Sequence, residues 1–263
     1  MPTLDAAACA ALMDELTRIT AHAAETILEL ATQGGVRSKA DGSPVTAADE
    51  AAETIICDGI ARLAPAVPII SEEQAGHEKP KAVARGSYFL VDPLDGTREF
   101  IAGRDEYTIN IALVTDGVPM LGIICAPALG IFWRGIIGSG ADRFLAIETD
   151  RPIPIQTRPR PQSEAVIMVS RSHLDARTQA YVAAMPHAKL MPSGSSIKFC
   201  RIAEGTADLY PRLAPTRDWD VAAGHAILQA AGGSVIAPDG TPIVYGSDEL
   251  RIPGFLAWGE IKG

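Results

Sequence analysis

The chain has 263 residues, 47% of them hydrophobic and 21% charged, with a formal net charge of −9. That is enough chain to bury one large core or two smaller ones, and the composition is ordinary for a globular enzyme. The acidic balance, without a basic stripe or arginine-rich tail, excludes a nucleic-acid polymer as the main partner. An anionic small molecule would need a cation between itself and such a protein.

From Ala6 to Gln33 apolar residues recur at Leu12, Leu16, Ile19, Ala23, Ile27 and Leu30, which predicts a helix stopped by Gly34 and Gly35. The N-terminus has no basic n-region, and Asp14, Glu15 and Arg18 interrupt the apolar positions, so neither a signal peptide nor a membrane span is expected. Cys9, Cys57, Cys125 and Cys200 lie far apart without a CxxC pair, as free thiols in a reducing compartment do. A cytoplasmic location is expected, with peripheral association with the inner membrane left open. A polar loop over 36–44 with Asp41-Gly42 at its tip leads to Thr46, a predicted N-cap, and a helix running to Leu63. Asp49 then falls at the third helical position, where it serves either a capping box or an acidic cluster.

Val67-Ile69-Ile70 predicts a short strand ending at Ser71-Glu72-Glu73-Gln74, and residues 75 to 87 a surface loop containing His77. Tyr88-Phe89-Leu90-Val91 is a second apolar strand, which Pro93 is expected to stop at Asp92. Thr97 opens a short helix. Tyr107 to Val114 alternates, turns at Asp116-Gly117 into Met120 to Cys125, and a β meander continues to about Ile147. Pro152, Pro154, Pro159 and Pro161 mark the expected boundary between residues 1–155 and 156–263.

In the second half the pattern predicts a strand over Ala165–Ser170 and a helix over Ala176–Ala184. A short strand near Lys189 and a helix from Ser195 to Glu204 follow. A strand over Ala207–Tyr210 leads to a loop with Pro211 and Pro215, and Trp219-Asp220 opens a helix over Val221–Ala231. The fold class is α/β in this half and α+β in the first.

The chemistry concentrates in Val91–Phe100. Asp92 and Asp95 flank Pro93 and Leu94, Gly96 permits close backbone approach, and the free N–H groups at Thr97 would favour an anion. Carboxylates for a cation beside a helix start for a phosphate describe a metal-bridged phosphate site; the two aspartates could equally form an Asx turn and a helix cap. Asp49, Glu72 and Asp220 also stand at element ends. If all five converged, they would repel by several kcal/mol, an order-of-magnitude figure, and only divalent cations would make the cluster tolerable. Oxygen ligands alone select Mg²⁺ over zinc or copper, and two or three such ions could clamp a phosphate and activate water. Thr97 needs an acceptor to orient that water, and Asp49 would serve. There is no GxSxG, Walker, GxGxxG or HExxH motif, and the five histidines show no ligand spacing.

Four ordered stretches resemble the motifs of the inositol monophosphatase superfamily: Val45–Asp49, Ser71-Glu72-Glu73, Asp92–Thr97 and Trp219–Gly224. The resemblance covers nearly the whole chain. It implies a layered αβαβα sandwich and a lithium-sensitive, Mg²⁺-dependent phosphatase. It further implies that Glu72 bridges metals, that Asp92, Asp95, Asp220 and the Leu94 carbonyl are ligands, and that Asp49 serves a further metal or the attacking water through Thr97. The Gly96 and Thr97 amides would hold the phosphate.

Lys39–Pro44, Arg98-Glu99-Phe100, Ser170–His173, Gly194–Cys200 and Leu209–Leu213 are similar to the bisphosphate-nucleotidase branch of that family. Where inositol phosphatases carry an acidic residue for inositol hydroxyls, Pro211 and Arg212 stand, and an arginine fork suits a second phosphate. By that similarity His173, Ser195, Lys198 and Arg212 contact a phosphorylated nucleotide. In bland terms, Ser195 would cap its helix, Lys198 would be a solvated charge, and Arg212 would pair with Asp208 or Asp218. The expected reaction is removal of the 3′-phosphate from adenosine 3′,5′-bisphosphate, and from its sulfated analogue, by a monomer or homodimer. An inositol or other sugar-phosphate phosphatase is the alternative. A non-catalytic phosphate-binding module is disfavoured by the complete set of carboxylates with Thr97.

Overall fold

A computed structural model of the chain describes residues 6–31, 36–38, 44–77, 86–148, 151–161, 163–172 and 174–259. His173 and most of the 36–44 loop lie outside the described residues. Helix α1 (Ala6–Leu30) is followed by a small antiparallel ribbon, β1 (Val36–Ser38) with β2 (Pro44–Thr46), and then by α2 (Ala47–Leu63). Next come β3 (Ile69–Ser71), α3 (Glu72–His77), β4 (Ser87–Asp95) and α4 (Thr97–Ile101). The meander β5 (Thr108–Thr115), β6 (Val118–Ala126), β7 (Ile131–Ile136), β8 (Gly140–Leu145) and β9 (Ile153–Ile155) completes the first half. β3 to β9 form one seven-stranded sheet in sequence order, antiparallel except for the parallel pair β3–β4.

The second half contains β10 (Val166–Ser170), α5 (Ala176–Ala183), β11 (Lys189–Ser193), α6 (Ile197–Ala203), β12 (Leu209–Arg212) and β13 (Thr216–Arg217). A 3₁₀ turn at Asp218–Asp220 leads into α7 (Ala222–Ala230), then β14 (Ser234–Ile236), β15 (Arg251–Ile252) and β16 (Phe255–Trp258). The second sheet has the order β11-β10-β12-β16-β14, and β13 pairs with β15 as a separate ribbon.

Alternation along β5 builds the layers. Ile109, Ile111 and Leu113 face a core shared with Leu16, Ile27, Ile56 and Ile60 of α1 and α2. Ala112 and Val114 point the other way, into a core with Phe199 of α6, Ala223 and Ile227 of α7, and Tyr210 and Phe255 of the second sheet. Ile167, Leu209 and Trp258 cover the far face of that sheet with Val182 of α5. The result is helix, sheet, helix, sheet, helix, the αβαβα sandwich. Because the middle helices serve both sheets, α7 must lie close on the first one. Gly122 and Gly135 allow this: a Cβ at either would stand 2.4 Å from the Ala223 carbonyl oxygen or 2.6 Å from the Ile227 Cα.

Several expectations change. The first helix ends at Leu30. Glu72 to His77 is helical, and Glu73 is buried within it. Pro93 does not stop its strand: β4 runs on to Asp95 through a bulge, where a missing N–H is tolerated. Pro211 and Arg212 belong to β12, because beyond Leu209 that strand pairs only with β16 and no amide is required on its other side. Cys57, Cys125 and Cys200 are buried, and none of the four cysteines forms a disulfide with another. Among the described residues no helix is long and apolar enough to cross a membrane.

Candidate active site

The parallel register of β3 and β4 pairs Ser71 with Val91. Glu72, which opens α3 directly after β3, and Asp92, the next residue of β4, therefore emerge side by side where β3 ends. Asp95 reaches that point through the bulge. In a regular strand two residues three apart point to opposite faces. Between the pairs Asp92–Asn110 and Asp95–Thr108, β4 has one more residue than β5, and this extra residue restores a common side. Gly96 then turns with φ 95° into α4; a Cβ there would crowd the Glu106 carbonyl oxygen at 3.2 Å.

Asp220 arrives from the second half, in the 3₁₀ turn before α7. Thr216 Oγ1 and the Arg217 amide both donate to its Oδ2, the latter over 3.0 Å, which orients the carboxylate. Glu72, Asp92 and Asp220 each bring an oxygen to within 4.8 Å of the other two. They line a cleft of about 910 Å³ together with Leu94, Asp95, Gly96, Thr97, Ser195, Lys198 and Arg212.

Electrostatics show what this cluster would hold. Burial, followed by the fields of Glu72, Asp95 and Asp220, pushes the Asp92 carboxyl well above its ordinary range. Burial and Asp220 push Asp95 up to about 7, against the relief given by Lys198 and Arg212. Carboxylates gathered in this way ionise more readily beside a counter-charge. The donors are all oxygens, so the site fits a hard divalent cation.

Asp49 is 1% exposed. Its Oδ2 accepts from the Thr46 amide (2.8 Å) and hydroxyl (2.6 Å), a true capping box, while Oδ1 accepts from Thr97 Oγ1 at 3.1 Å. One carboxylate thus closes the capping box and also meets Thr97. Asp92 is similar: its Oδ1 accepts from the Leu94 amide at 3.1 Å, an Asx turn that also aims the side chain.

The bland alternatives for the second half do not hold. Lys198 is 2% exposed, and its ammonium donates to the Ser193 carbonyl (3.3 Å) and the Ser195 carbonyl, 5.1 Å from the Tyr210 ring. Ser195 caps nothing: α6 begins after Ser196, and Ser195, with φ 42°, leaves its hydroxyl without a partner. Asp208 is forked by Arg158, and Asp218 accepts from the Gly246 amide. Arg212 sits elsewhere; burial opposes its charge, but the fields of Tyr210, Asp220 and Asp95 outweigh that and hold its pKa up.

Three features escaped sequence reading. Glu106 accepts from Arg171 Nε at 2.9 Å and from the Gly194 amide at 3.0 Å, fixing the loop before α6. Ser196 Oγ bonds Asn110 Oδ1 (2.6 Å) and Thr108 Oγ1 (2.8 Å), fastening that loop to β5. Glu99 is buried on the cleft wall and accepts from Ser172 Oγ. Each is an ordinary polar residue whose partner lies more than sixty positions away, so no local signal exists.

The family model for the inositol monophosphatase family matches residues 4–260, and the chain belongs to that family. Within it, the chain is 40% identical to the 3′(2′),5′-bisphosphate nucleotidase CysQ of Escherichia coli, covering 93% of this chain and 98% of the relative. It is 38% identical to the CysQ of Salmonella typhimurium with the same coverage. The solved structure of CysQ from Bacteroides thetaiotaomicron superposes with a TM-score of 0.78 at 34% identity, covering 94% of this chain and 97% of that one. An inositol monophosphatase from Anabaena superposes with a TM-score of 0.76 at 25% identity, over 96% and 92%.

Proposed function

We propose that this chain is a Mg²⁺-dependent 3′(2′),5′-bisphosphate nucleotidase, which hydrolyses adenosine 3′,5′-bisphosphate to AMP and phosphate and also accepts the sulfated analogue. The observation that carries the chemistry is the convergence of Glu72, Asp92 and Asp220 beside Asp95. The substrate class follows from the names of relatives similar over nearly the full length.

Glu72, Asp92, Asp95, Asp220 and the Leu94 carbonyl would hold the cations, two or three in number. Bound there, Mg²⁺ supplies Lewis acidity, which makes water nucleophilic and offsets charge on the phosphoryl oxygens. The protein does the rest by positioning. Asp49 takes the proton of the Thr97 hydroxyl in a hydrogen bond, so the Thr97 oxygen is left to accept from water and aim it at phosphorus. The Gly96 and Thr97 amides meet the phosphate at the start of α4. Lys198, Ser195 and Arg212 line the same cleft and would contact the nucleotide, with His173 from outside the described residues. No covalent bond to the protein is needed, because water is the nucleophile.

We take residues 1–155 as the part that carries most metal ligands and 156–263 as the part that carries Asp220 and the specificity residues. The protein acts in the cytoplasm as a monomer or homodimer and, like its family, is inhibited by Li⁺. The deciding experiment compares kcat/KM for adenosine 3′,5′-bisphosphate and inositol 1-phosphate in Mg²⁺, with and without Li⁺. The bisphosphate is expected to win clearly; preference for inositol 1-phosphate would replace this reading with that of an inositol phosphatase.

A further inference from the structure

We propose that Arg217 and Arg251 form an anion subsite on the cleft wall, which takes the phosphate or sulfate of the substrate that is not hydrolysed. The two arginines are direct cross-strand partners in the β13–β15 ribbon, and both line the cleft that holds Glu72, Asp92 and Asp220. Like charges placed opposite each other on a ribbon are unfavourable. The arginines that hold this fold together are forked onto carboxylates, as Arg134 is on Asp142, Arg158 on Asp208 and Arg171 on Glu106. Among the described residues neither Arg217 nor Arg251 forms an ion pair.

Arg217 is nevertheless held in place. Its Nη1 donates to the Glu249 carbonyl at 2.9 Å, and its guanidinium carbon lies 5.6 Å from the centre of the Trp219 ring. Glu249 therefore fixes the side chain through a backbone oxygen, without placing its carboxylate on the guanidinium. Asp218 feels Arg217, but its Oδ2 is bonded to the Gly246 amide over 2.8 Å. Arg212 differs, since Asp220 and Asp95 share its field. What remains on the ribbon is a pair of guanidinium groups, one of them pre-oriented, facing a cleft large enough for a nucleotide. Planar forks of this kind match the oxygens of a phosphate or sulfate. The Arg217 amide is also a donor to Asp220, so the ribbon sets the subsite at a constant offset from the metal cluster.

This inference rests on the nucleotidase reading, and the test separates the two. Steady-state kinetics in Mg²⁺ would compare adenosine 3′,5′-bisphosphate with adenosine 3′-phosphate, which lacks the second anion. Wild type, Arg217→Gln, Arg251→Gln and Arg251→Lys all keep the backbone amides. Each Gln variant is expected to raise KM for the bisphosphate about tenfold, the cost of one charge-assisted hydrogen bond, while KM for the monophosphate moves less than about twofold. Arg251→Lys should recover part of the loss. An equal loss on both substrates, or none on the bisphosphate, overturns the subsite. Should wild type prefer inositol 1-phosphate, the nucleotidase reading falls by itself. Calorimetric binding of adenosine 5′-phosphate to wild type and the Gln variants then still decides: weaker binding in the variants supports the subsite, and unchanged binding overturns it.

Discussion

Thr97 donates its hydroxyl proton to Asp49 Oδ1 across 3.1 Å, and the opposite oxygen of that carboxylate is already held by Thr46. One buried acid therefore starts a helix and sets the rotor of Thr97, the residue proposed to aim water. Thr97→Val should lower kcat about 100-fold, the lower range for loss of a positioned proton-handling group, with KM little changed. Thr97→Ser should restore most of the activity. A KM-dominated loss in Thr97→Val would place Thr97 in substrate binding instead.

Asp49→Ala tests the second employment of the same carboxylate. It should lose activity as Thr97→Val does and also lose about 1 kcal/mol of stability with the capping box, whereas Thr97→Val leaves the cap intact. Urea melts of the two variants, set beside their kcat values, separate the effects.

Metal removal has a signed pH dependence. In the metal-free folded protein Asp95 stands at about 7, through burial and then Asp220, and Asp218 at about 6, mainly through burial. The unfolded chain returns both to near 3.8. With raised folded-state values, their contribution is complete below about 3.8 and is lost progressively as pH rises from there to about 6 for Asp218 and about 7 for Asp95. Burial lowers His225 to about 4, and it acts in the opposite sense, destabilising the protein as pH falls below 6.5. In EDTA the melting temperature of wild type should fall from pH 5.5 to 7.5 by more than that of Asp95→Asn, which isolates the carboxylate. Adding Mg²⁺ should raise Tm at pH 7.5 and have little effect at pH 5.5. Equal slopes for the two proteins in EDTA would contradict the cluster electrostatics.

Lys198 is a buried ammonium resting on two carbonyls. Lys198→Met fills the space but leaves the Ser193 and Ser195 carbonyls without that donor. A stability loss of about 1–3 kcal/mol is expected. A raised KM for the nucleotide should accompany it, because the same carbonyls shape the loop that bears Ser195. Chemical denaturation and steady-state kinetics on one preparation check both.

Gly122→Ala provides a purely structural test. The added methyl would meet the Ala223 carbonyl oxygen at 2.4 Å, where backbone cannot yield cheaply, and about 1–3 kcal/mol should be lost. Gly138→Ala is the control, since nothing lies within 4 Å of its Cβ position and only its φ of 85° is at issue. A Gly122→Ala melt no worse than that of the control would mean that α7 can lift off the sheet.

What the sequence revealed followed the range of the forces involved. The capping box at Thr46 and Asp49 and the turn at Asp116-Gly117 are local, and they were legible from residues a few positions apart. The alternation of Ile109, Ile111 and Leu113 predicted one buried face of β5, but not that Ala112 and Val114 would be buried as well. That second burial needs α7, over a hundred residues away, and small side chains announce it weakly. Pro93 misled because proline ends a regular strand, whereas here it sits in a bulge. The carboxylates were each visible, but their convergence depended on the register Ser71–Val91 and on a turn from the other half of the chain. Arg217 and Arg251 became a pair only through a ribbon of two residues per strand, too short to leave a pattern.

The shared helical layer has a consequence for how activity reports on the molecule. Glu72 follows the end of β3, and Asp92 and Asp95 belong to β4, while Asp220 stands in the turn that leads into α7, the helix that both sheets grip. Neither half alone carries all three of the converging carboxylates. Cation affinity is therefore expected to gauge whole-chain assembly: a lesion that loosens α7 should appear first as a weakened affinity for the cation, before any spectroscopic sign of unfolding.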